Sequence, residues 1–156
     1  MKTLIIYASK YGATAEIAKR IGDKINGSSL YDIKGGNCPP LDGFDNIIIG
    51  SPLYVGNVRK EIKEFIAKNE SILKGKKFAL FLSGCEPNKG AEYFKNNFPE
   101  GVLQAAKAAV FVGGLYDPKK SGFLDKLLLK IAAKKSDYFE NIDGSKIDKL
   151  VEAMGS

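Results

Sequence analysis

Short β-branched runs alternate with helical patterns along the whole chain, and this alternation constrains the fold more than any other feature. The run Ile47-Ile48-Ile49 is too short for a buried helix and is apolar on both faces, which is typical of a central strand in a parallel sheet. Strand patterns occupy residues 2–8, 29–33, 46–50, 78–82 and 108–112. Helical patterns occupy residues 13–25, 58–66, 91–98, 123–133 and 145–154. We therefore predict one domain over residues 1–156, with an α/β fold and a single doubly wound, five-stranded parallel sheet between two helical layers.

The composition excludes several kinds of chemistry. The 156 residues include no histidine and only two cysteines, Cys38 and Cys85. Histidine-based catalytic triads, most zinc sites and iron–sulfur clusters are therefore excluded, and we predict no metal site. In a chain so poor in reactive side chains, we expect any difficult chemistry to come from a bound cofactor.

The formal net charge of +6 comes almost entirely from lysine. Nucleic-acid binding would need more arginine and a recognisable module, so we predict no nucleic-acid partner. The lysines are interpreted as a solvated surface, with attraction to an anionic membrane or an acidic redox partner as alternatives. The chain enters a strand pattern at once, without the pattern of a signal peptide. We expect a cytoplasmic protein, with peripheral membrane contact as an alternative.

The loop after the first predicted strand has the features of an anion site. Its residues are Ser9, Lys10, Tyr11, Gly12, Ala13 and Thr14. The first backbone N–H groups of a helix have no intrahelical acceptor, and the helix dipole favours an anion beside them. The hydroxyls of Ser9 and Thr14 could add two hydrogen bonds, and Gly12 would let the backbone approach closely. The same pattern fits ordinary helix capping equally well.

The segment from Tyr7 to Thr14 resembles the phosphate-binding signature of the flavodoxins. Ser9, Gly12 and Thr14 match that signature, and Tyr11 replaces its usual threonine. The resemblance implies a flavodoxin-like sheet with strand order 2-1-3-4-5 and flavin mononucleotide (FMN) as cofactor. It also implies that the backbone amides of this loop bind the FMN phosphate.

The resemblance assigns the flavin ring to two further loops. The loop after residues 46–50 supplies Pro52, Leu53, Tyr54, Val55 and Gly56, with the Tyr54 ring stacked on the flavin. The loop after residues 78–82 supplies Ser83, Gly84, Cys85 and Asn88. Cys85 has no histidine or arginine at phosphatase spacing, so we interpret it as a packing residue. No catalytic residue is predicted.

Two segments resemble one flavodoxin-like branch, the menaquinone-dependent protoporphyrinogen oxidases. They are residues 50–56, followed by a helix carrying Glu64 and Phe65, and residues 113–118, which lead into a helix that begins at Phe123 and ends at Ala133. That last helix is apolar and bordered by lysines. It is interpreted as packing on the sheet, as a membrane-surface contact or as a partner surface. The predicted loop at residues 83–90 is shorter than in those oxidases.

These observations leave three functions open. The first is an FMN-dependent electron-transfer protein or oxidoreductase whose partner is a redox protein or a quinone. The second is a protoporphyrinogen oxidase that passes electrons to a quinone. The third is a binding module that has kept the fold and lost the flavin. For the first, the net positive charge predicts a less negative reduction potential than that of an acidic flavodoxin.

Overall fold

Parallel strands form the centre of the computed structural model, which describes residues 1–119 and 138–155. In this part of the chain the sheet has the order β2-β1-β3-β5-β6, and the short β4 pairs antiparallel with the end of β3. A separate pair is formed by β7 and β8. The strands are β1 (Thr3–Tyr7), β2 (Ser28–Asp32), β3 (Asn46–Tyr54), β4 (Asn57–Val58), β5 (Lys77–Ser83), β6 (Ala108–Gly113), β7 (Leu115–Tyr116) and β8 (Phe139–Glu140). The order of the five parallel strands confirms the predicted 2-1-3-4-5 arrangement.

Helices connect the parallel strands. In the described residues they are α1 (Ala13–Gly22), α2 (Lys60–Lys74), α3 (Gly90–Asn97), α4 (Glu100–Ala105) and α5 (Gly144–Gly155). The helix predicted at residues 123–133 lies outside the described residues. Nowhere in residues 1–119 and 138–155 does a helix combine the length and the apolar composition needed to span a membrane.

The helices cover both faces of the sheet. Ile48 belongs to a buried cluster with Ile17 of α1 and Leu150 of α5. Its neighbours Ile47 and Ile49 belong to a second cluster on the opposite face, packed against residues of α2, α3 and α4. Successive side chains of a strand point to opposite faces, so an apolar triplet is buried on both sides. The predicted three-layer, doubly wound α/β fold is confirmed.

The predicted end of the third strand is wrong, and one short helix was not predicted. The strand predicted to end at Gly50 continues to Tyr54, because Ser51 and Pro52 pair with the end of β5 and the next two residues pair with β4. The helix predicted to end near residue 98 does end there, at Asn97, and the extended residues Phe98 and Pro99 lead into α4, which was not predicted. The longer β3 matters for function, because its last residues form a hairpin with β4 at the carboxyl end of the sheet.

Candidate functional site

One cleft brings together the segments that follow four strands, β1, β3, β5 and β6, at the carboxyl end of the sheet. Its empty volume is about 1010 Å³, a figure that includes space open to solvent. The predicted contact residues that line it are Ser9, Lys10, Tyr11, Ala13, Thr14, Pro52, Leu53, Tyr54, Val55, Ser83, Gly84 and Cys85. In parallel α/β sheets, ligands bind at this edge.

The loop after β1 presents unpaired backbone N–H groups at the start of α1. Gly12 takes φ 96° and ψ −10°, a left-handed conformation that favours glycine. Its carbonyl accepts the N–H of Glu16 at 2.9 Å, the first bond of the helix. The N–H groups of the three residues between them have no acceptor within the helix, and the helix dipole adds positive potential there. This end of the cleft is therefore suited to a phosphate.

The two hydroxyls predicted to face a phosphate also have partners within the protein. Ser9 Oγ accepts the Gly12 N–H at 3.1 Å. Thr14 Oγ1 lies 2.9 Å from Ser83 Oγ, and both side chains are buried. Two hydroxyls carry two protons and use one between them, so this pair keeps one O–H donor for a ligand. The Thr14–Ser83 bond also joins the loop after β1 to the end of β5.

Lysines bring positive charge to the same loop. Lys34 Nζ donates a hydrogen bond to the Ser9 carbonyl oxygen at 2.9 Å. Lys10 Nζ lies 5.1 Å from the centre of the Tyr11 ring and 4.9 Å from that of Tyr54. Both distances are in the range of cation–π attraction. The ammonium group therefore lies over the ring that was predicted to stack on a flavin.

A tight hairpin forms the outer wall of the cleft. It joins β3 to β4 through Val55 at φ 50° and Gly56 at φ 75°, the positive φ pair of a type I′ turn. Val55 is 74% exposed and Tyr54 is 38% exposed. A β-branched residue in the left-handed region is strained, since only glycine, asparagine and aspartate take it readily. The hairpin thus carries stored strain next to the cleft.

We expect Val55→Asn to raise the free energy of unfolding by about 1 kcal/mol, because asparagine tolerates the left-handed conformation. Val55→Ala keeps an ordinary L side chain there and removes only the β-branch, so its gain should be smaller. Chemical denaturation of the three proteins gives the comparison. Equal or lower stability of Val55→Asn would show that the turn is not strained in solution.

The remaining predicted contact residues lie outside the lining of the cleft. Gly12 and Gly56 shape its loops through their backbones. Asn88 lines a second cavity beside β6, together with Phe94 and Phe111. Asn88 is the middle residue of the short helical turn Pro87–Lys89.

Sequence reasoning missed several residues that line the cleft. They are Arg59, Gly114, Leu115, Tyr116 and Asp117. Arg59 returns to the cleft because β4 folds back along β3, and its backbone N–H donates to Ser51 Oγ at 3.0 Å. The side chain of Arg59 has a loose ion pair, with Nε 3.8 Å from Glu61 Oε2. For residues 114–117, the sequence feature that could have indicated a loop at the cleft was the glycine pair Gly113-Gly114 after the last predicted strand.

Comparisons with known proteins agree with this geometry. A family model described as a flavodoxin domain matches residues 4–143. The chain belongs to the flavodoxin domain family. Protoporphyrinogen IX dehydrogenase [quinone] of Escherichia coli K12 is 24% identical over 154 residues, covering 88% of this chain and 83% of that protein. A flavodoxin of Clostridium saccharobutylicum is 33% identical over 87 residues, covering 52% of this chain and 54% of the relative.

A solved structure of similar fold is oxidised flavodoxin 2 from Bacillus cereus. Its TM-score is 0.61 at 23% identity, with 99% of this chain and 98% of that chain covered. The similarity shows a shared fold over nearly the whole length. Together with the family match, it confirms the flavodoxin-like fold, and FMN is the cofactor of this flavodoxin-family chain.

The residues in the cleft fit FMN. A phosphate needs several hydrogen-bond donors, and the start of α1 offers unpaired N–H groups beside the Ser9 hydroxyl. A flat aromatic ring needs apolar walls, which Pro52, Leu53 and the Tyr54 ring provide. The Gly84 and Gly114 backbones meet so closely that a Cβ on Gly114 would lie 2.8 Å from the Gly84 carbonyl oxygen. One side chain stands in the way of a stacked ring: the Lys10 ammonium group lies over the Tyr54 ring face and has to move before a flavin packs there.

A tyrosine–glutamate pair lies behind the hairpin. The Tyr93 hydroxyl donates to Glu86 Oε2 at 2.5 Å. Burial, followed by this hydrogen bond, raises the pKa of Tyr93 to about 12. The same bond, together with Lys89, lowers the pKa of Glu86. The phenol and the carboxylate therefore coexist across the neutral pH range.

We expect the pair to contribute stability that is lost in alkali. Because the pKa of folded Tyr93 lies at about 12 and that of an unfolded tyrosine near 10, its contribution is complete below pH ~10 and disappears as the pH rises through the folded value. Denaturant unfolding at rising pH should therefore show a steeper loss for the wild type than for Tyr93→Phe. Tyr138→Phe is the control, since Tyr138 is 58% exposed. Identical slopes for wild type and Tyr93→Phe would contradict the assignment.

Proposed function

We propose that FMN occupies this cleft and that the protein is an electron carrier or FMN-dependent oxidoreductase. The observation that carries the proposal is the placement of the α1 N-terminus and the Tyr54 ring in one cleft, at the carboxyl edge of a flavodoxin sheet. When bound, FMN supplies the ability to accept and release electrons singly or in pairs. The chain's own residues bind, orient and shield it.

In this proposal each loop has a separate task. The N–H groups at the start of α1 and the Ser9 hydroxyl bind the phosphate. The remaining O–H of the Thr14–Ser83 pair donates toward the cofactor. Tyr54 packs on the ring after the Lys10 ammonium group has moved from the ring face that it covers.

Two cationic side chains line the same cleft, Lys10 and Arg59. Positive charge near a flavin favours its negatively charged reduced form, so these residues raise the reduction potential. The potential is therefore expected to be less negative than that of an acidic flavodoxin. A redox titration in which Arg59→Gln makes the potential more negative supports this, and an unchanged potential removes Arg59 from the proposal.

A second candidate function is the oxidation of protoporphyrinogen with transfer of electrons to a quinone. The observation that favours it is the similarity to the E. coli quinone-linked dehydrogenase along 88% of this chain. An assay with protoporphyrinogen IX and menadione separates the two functions. Turnover of both substrates supports the enzyme, whereas fast exchange of electrons with a redox protein alone supports the carrier.

The proposed function is tested first by absorbance. The purified protein is expected to be yellow, or to become so when FMN is added, with the fluorescence of the flavin quenched on binding. Failure to bind FMN at high concentration would leave the third possibility, a binding module without flavin. A membrane contact by the helix predicted at residues 123–133 stays a prediction from the sequence.

A further inference from the structure

Asn97, at the end of α3, is bonded to the turn and to the returning strand β4 of the hairpin that walls the cleft. Its Nδ2 donates to the Gly56 carbonyl oxygen at 2.9 Å and to the Tyr93 carbonyl oxygen at 2.8 Å. Its Oδ1 accepts the N–H of Val58 at 2.9 Å. The side chain is buried, and these three bonds use both amide protons and the oxygen. One side chain therefore fixes the turn and the returning strand to α3.

Tyr93 lies one helical turn before Asn97 and contacts both ring-side loops. Its ring approaches Gly56, where an added Cβ would lie 3.5 Å from Tyr93 Cε1. Its hydroxyl bonds to Glu86, in the loop after β5. The ring also stacks on Phe111 of β6, with centroids 6.1 Å apart. Neither Tyr93 nor Asn97 lines the cleft itself.

We propose that Tyr93 and Asn97 are positioning residues that hold the two ring-side loops of the cleft in one arrangement. This pair, the α3 clamp, rests on the proposed function and adds to it: the clamp sets how tightly the FMN ring is held. The hairpin needs such support because its turn contains the strained Val55 and its tip is exposed. The loop after β5 is joined to the hairpin through Glu86, Tyr93 and Gly56.

Removing the clamp is expected to loosen the hairpin locally, whereas removing a general stabilising contact would lower the stability of the whole protein. Residues of a buried hydrogen-bond network hold a site in the geometry needed for binding, and their loss loosens the site locally. Truncation of Asn97 removes the side-chain partner of three backbone groups, two in the hairpin and one in α3. The parallel strands keep all their own bonds. The effect is therefore expected at the hairpin and in flavin binding, before the sheet is affected.

The first test uses the protein without FMN. In Asn97→Ala the amide hydrogen of Val58 is expected to exchange with solvent at least ~10-fold faster, because it has lost its acceptor. The amide of Ile48, in the centre of β3, should keep its rate. Asn69→Ala is the matched control, because Asn69 Nδ2 makes the same kind of bond to the carbonyl oxygen four residues earlier, at 2.8 Å from Phe65 on α2. It should leave the Val58 rate unchanged.

The second test measures FMN binding by fluorescence quenching, at a temperature where every variant is folded. Asn97→Ala is expected to raise the dissociation constant about tenfold, equal to about 1.4 kcal/mol, and to alter the visible circular dichroism of the bound flavin. Tyr93→Phe keeps the stacked ring and loses only the bond to Glu86. It should raise the dissociation constant about threefold and speed exchange at Lys89, whose N–H donates to the Glu86 carbonyl oxygen at 3.1 Å. Tyr31→Phe is its control, because within the described residues the buried Tyr31 hydroxyl has no hydrogen-bond partner to lose.

The outcomes separate the clamp from the proposed function. If the wild type does not bind FMN, the proposed function fails, and the exchange rates of the apoprotein still decide whether the clamp holds the hairpin. If FMN binds but Asn97→Ala changes neither Val58 exchange nor affinity, the clamp is overturned. Should Asn97→Ala fail to fold, Tyr93→Phe decides in the same way. Equal effects from Asn69→Ala would also overturn the proposal.

Discussion

Replacing Gly50 with alanine is expected to lower the free energy of unfolding by about 3 kcal/mol. A Cβ at this position would lie 1.9 Å from Cζ of Phe81, a fully buried ring on the neighbouring strand β5. The ring cannot turn aside, because it is packed between helices α1 and α5 and the sheet. The added methyl group therefore forces the two central strands apart. Urea denaturation of the variant measures the loss.

Gly43→Ala is the matched control for this prediction. Gly43 has no heavy atom within 4 Å of an added Cβ, and its φ is not positive. Its replacement should change stability by less than about 0.5 kcal/mol. A smaller ring partner should rescue the first variant, so Gly50→Ala with Phe81→Leu is expected to be more stable than Gly50→Ala alone. Absence of any loss in Gly50→Ala would mean that the two central strands pair differently in solution.

Gly12→Asp is expected to weaken FMN binding about 100-fold, or roughly 2.7 kcal/mol. The carboxylate would lie at the start of α1, where the unpaired N–H groups and the helix dipole favour the phosphate. Like charges a few ångström apart near a protein surface repel by about 3–4 kcal/mol. A titration of the apoprotein with FMN, followed by flavin fluorescence, gives the affinity.

Gly36→Asp separates this charge effect from backbone strain. Gly36 also has a positive φ, 91°, and open space around an added Cβ, but it belongs to the loop after β2 and not to the start of α1. Gly36 has ψ −59°, outside the left-handed helical region, so Gly36→Asp should lose at least as much stability as Gly12→Asp, whereas only Gly12→Asp should lose FMN affinity. Comparable affinity losses in the two variants would mean that strain rather than repulsion is responsible, and retained affinity in Gly12→Asp would place the phosphate elsewhere.

The sheet could be predicted from the sequence because burial on both faces leaves a direct signature. The triplet Ile47-Ile48-Ile49 can be satisfied only by a strand covered on both sides, and helical patterns between the strands require parallel connections. The loop after β1 could be predicted equally well, since its residues follow one another along the chain. These features depend on neighbours in sequence.

The rest of the cleft depends on contacts between distant segments. Ser51 and Pro52 have the composition of a turn, yet their pairing with β5 keeps them in β3. That extension places the hairpin, and the hairpin's return brings Arg59 to the cleft. Asn88 was predicted in the site from its position in a loop, but it lies in a short helical turn and lines a second cavity beside β6. Asn97 gave no signal, because its bonds reach the hairpin across 39 to 41 positions of sequence.

The isoleucine triplet of β3 has a consequence for how the chain folds. If β3 slipped by one residue against its neighbours, isoleucine would still fill both faces at most positions, and collapse of the chain would gain nearly the same apolar contact. Hydrophobic collapse therefore does not select the correct pairing. Selection comes from the fit of Phe81 over the bare backbone of Gly50, its partner across the strands. The isoleucines that supply the apolar contact of collapse are therefore different from the glycine that sets the register of the strands.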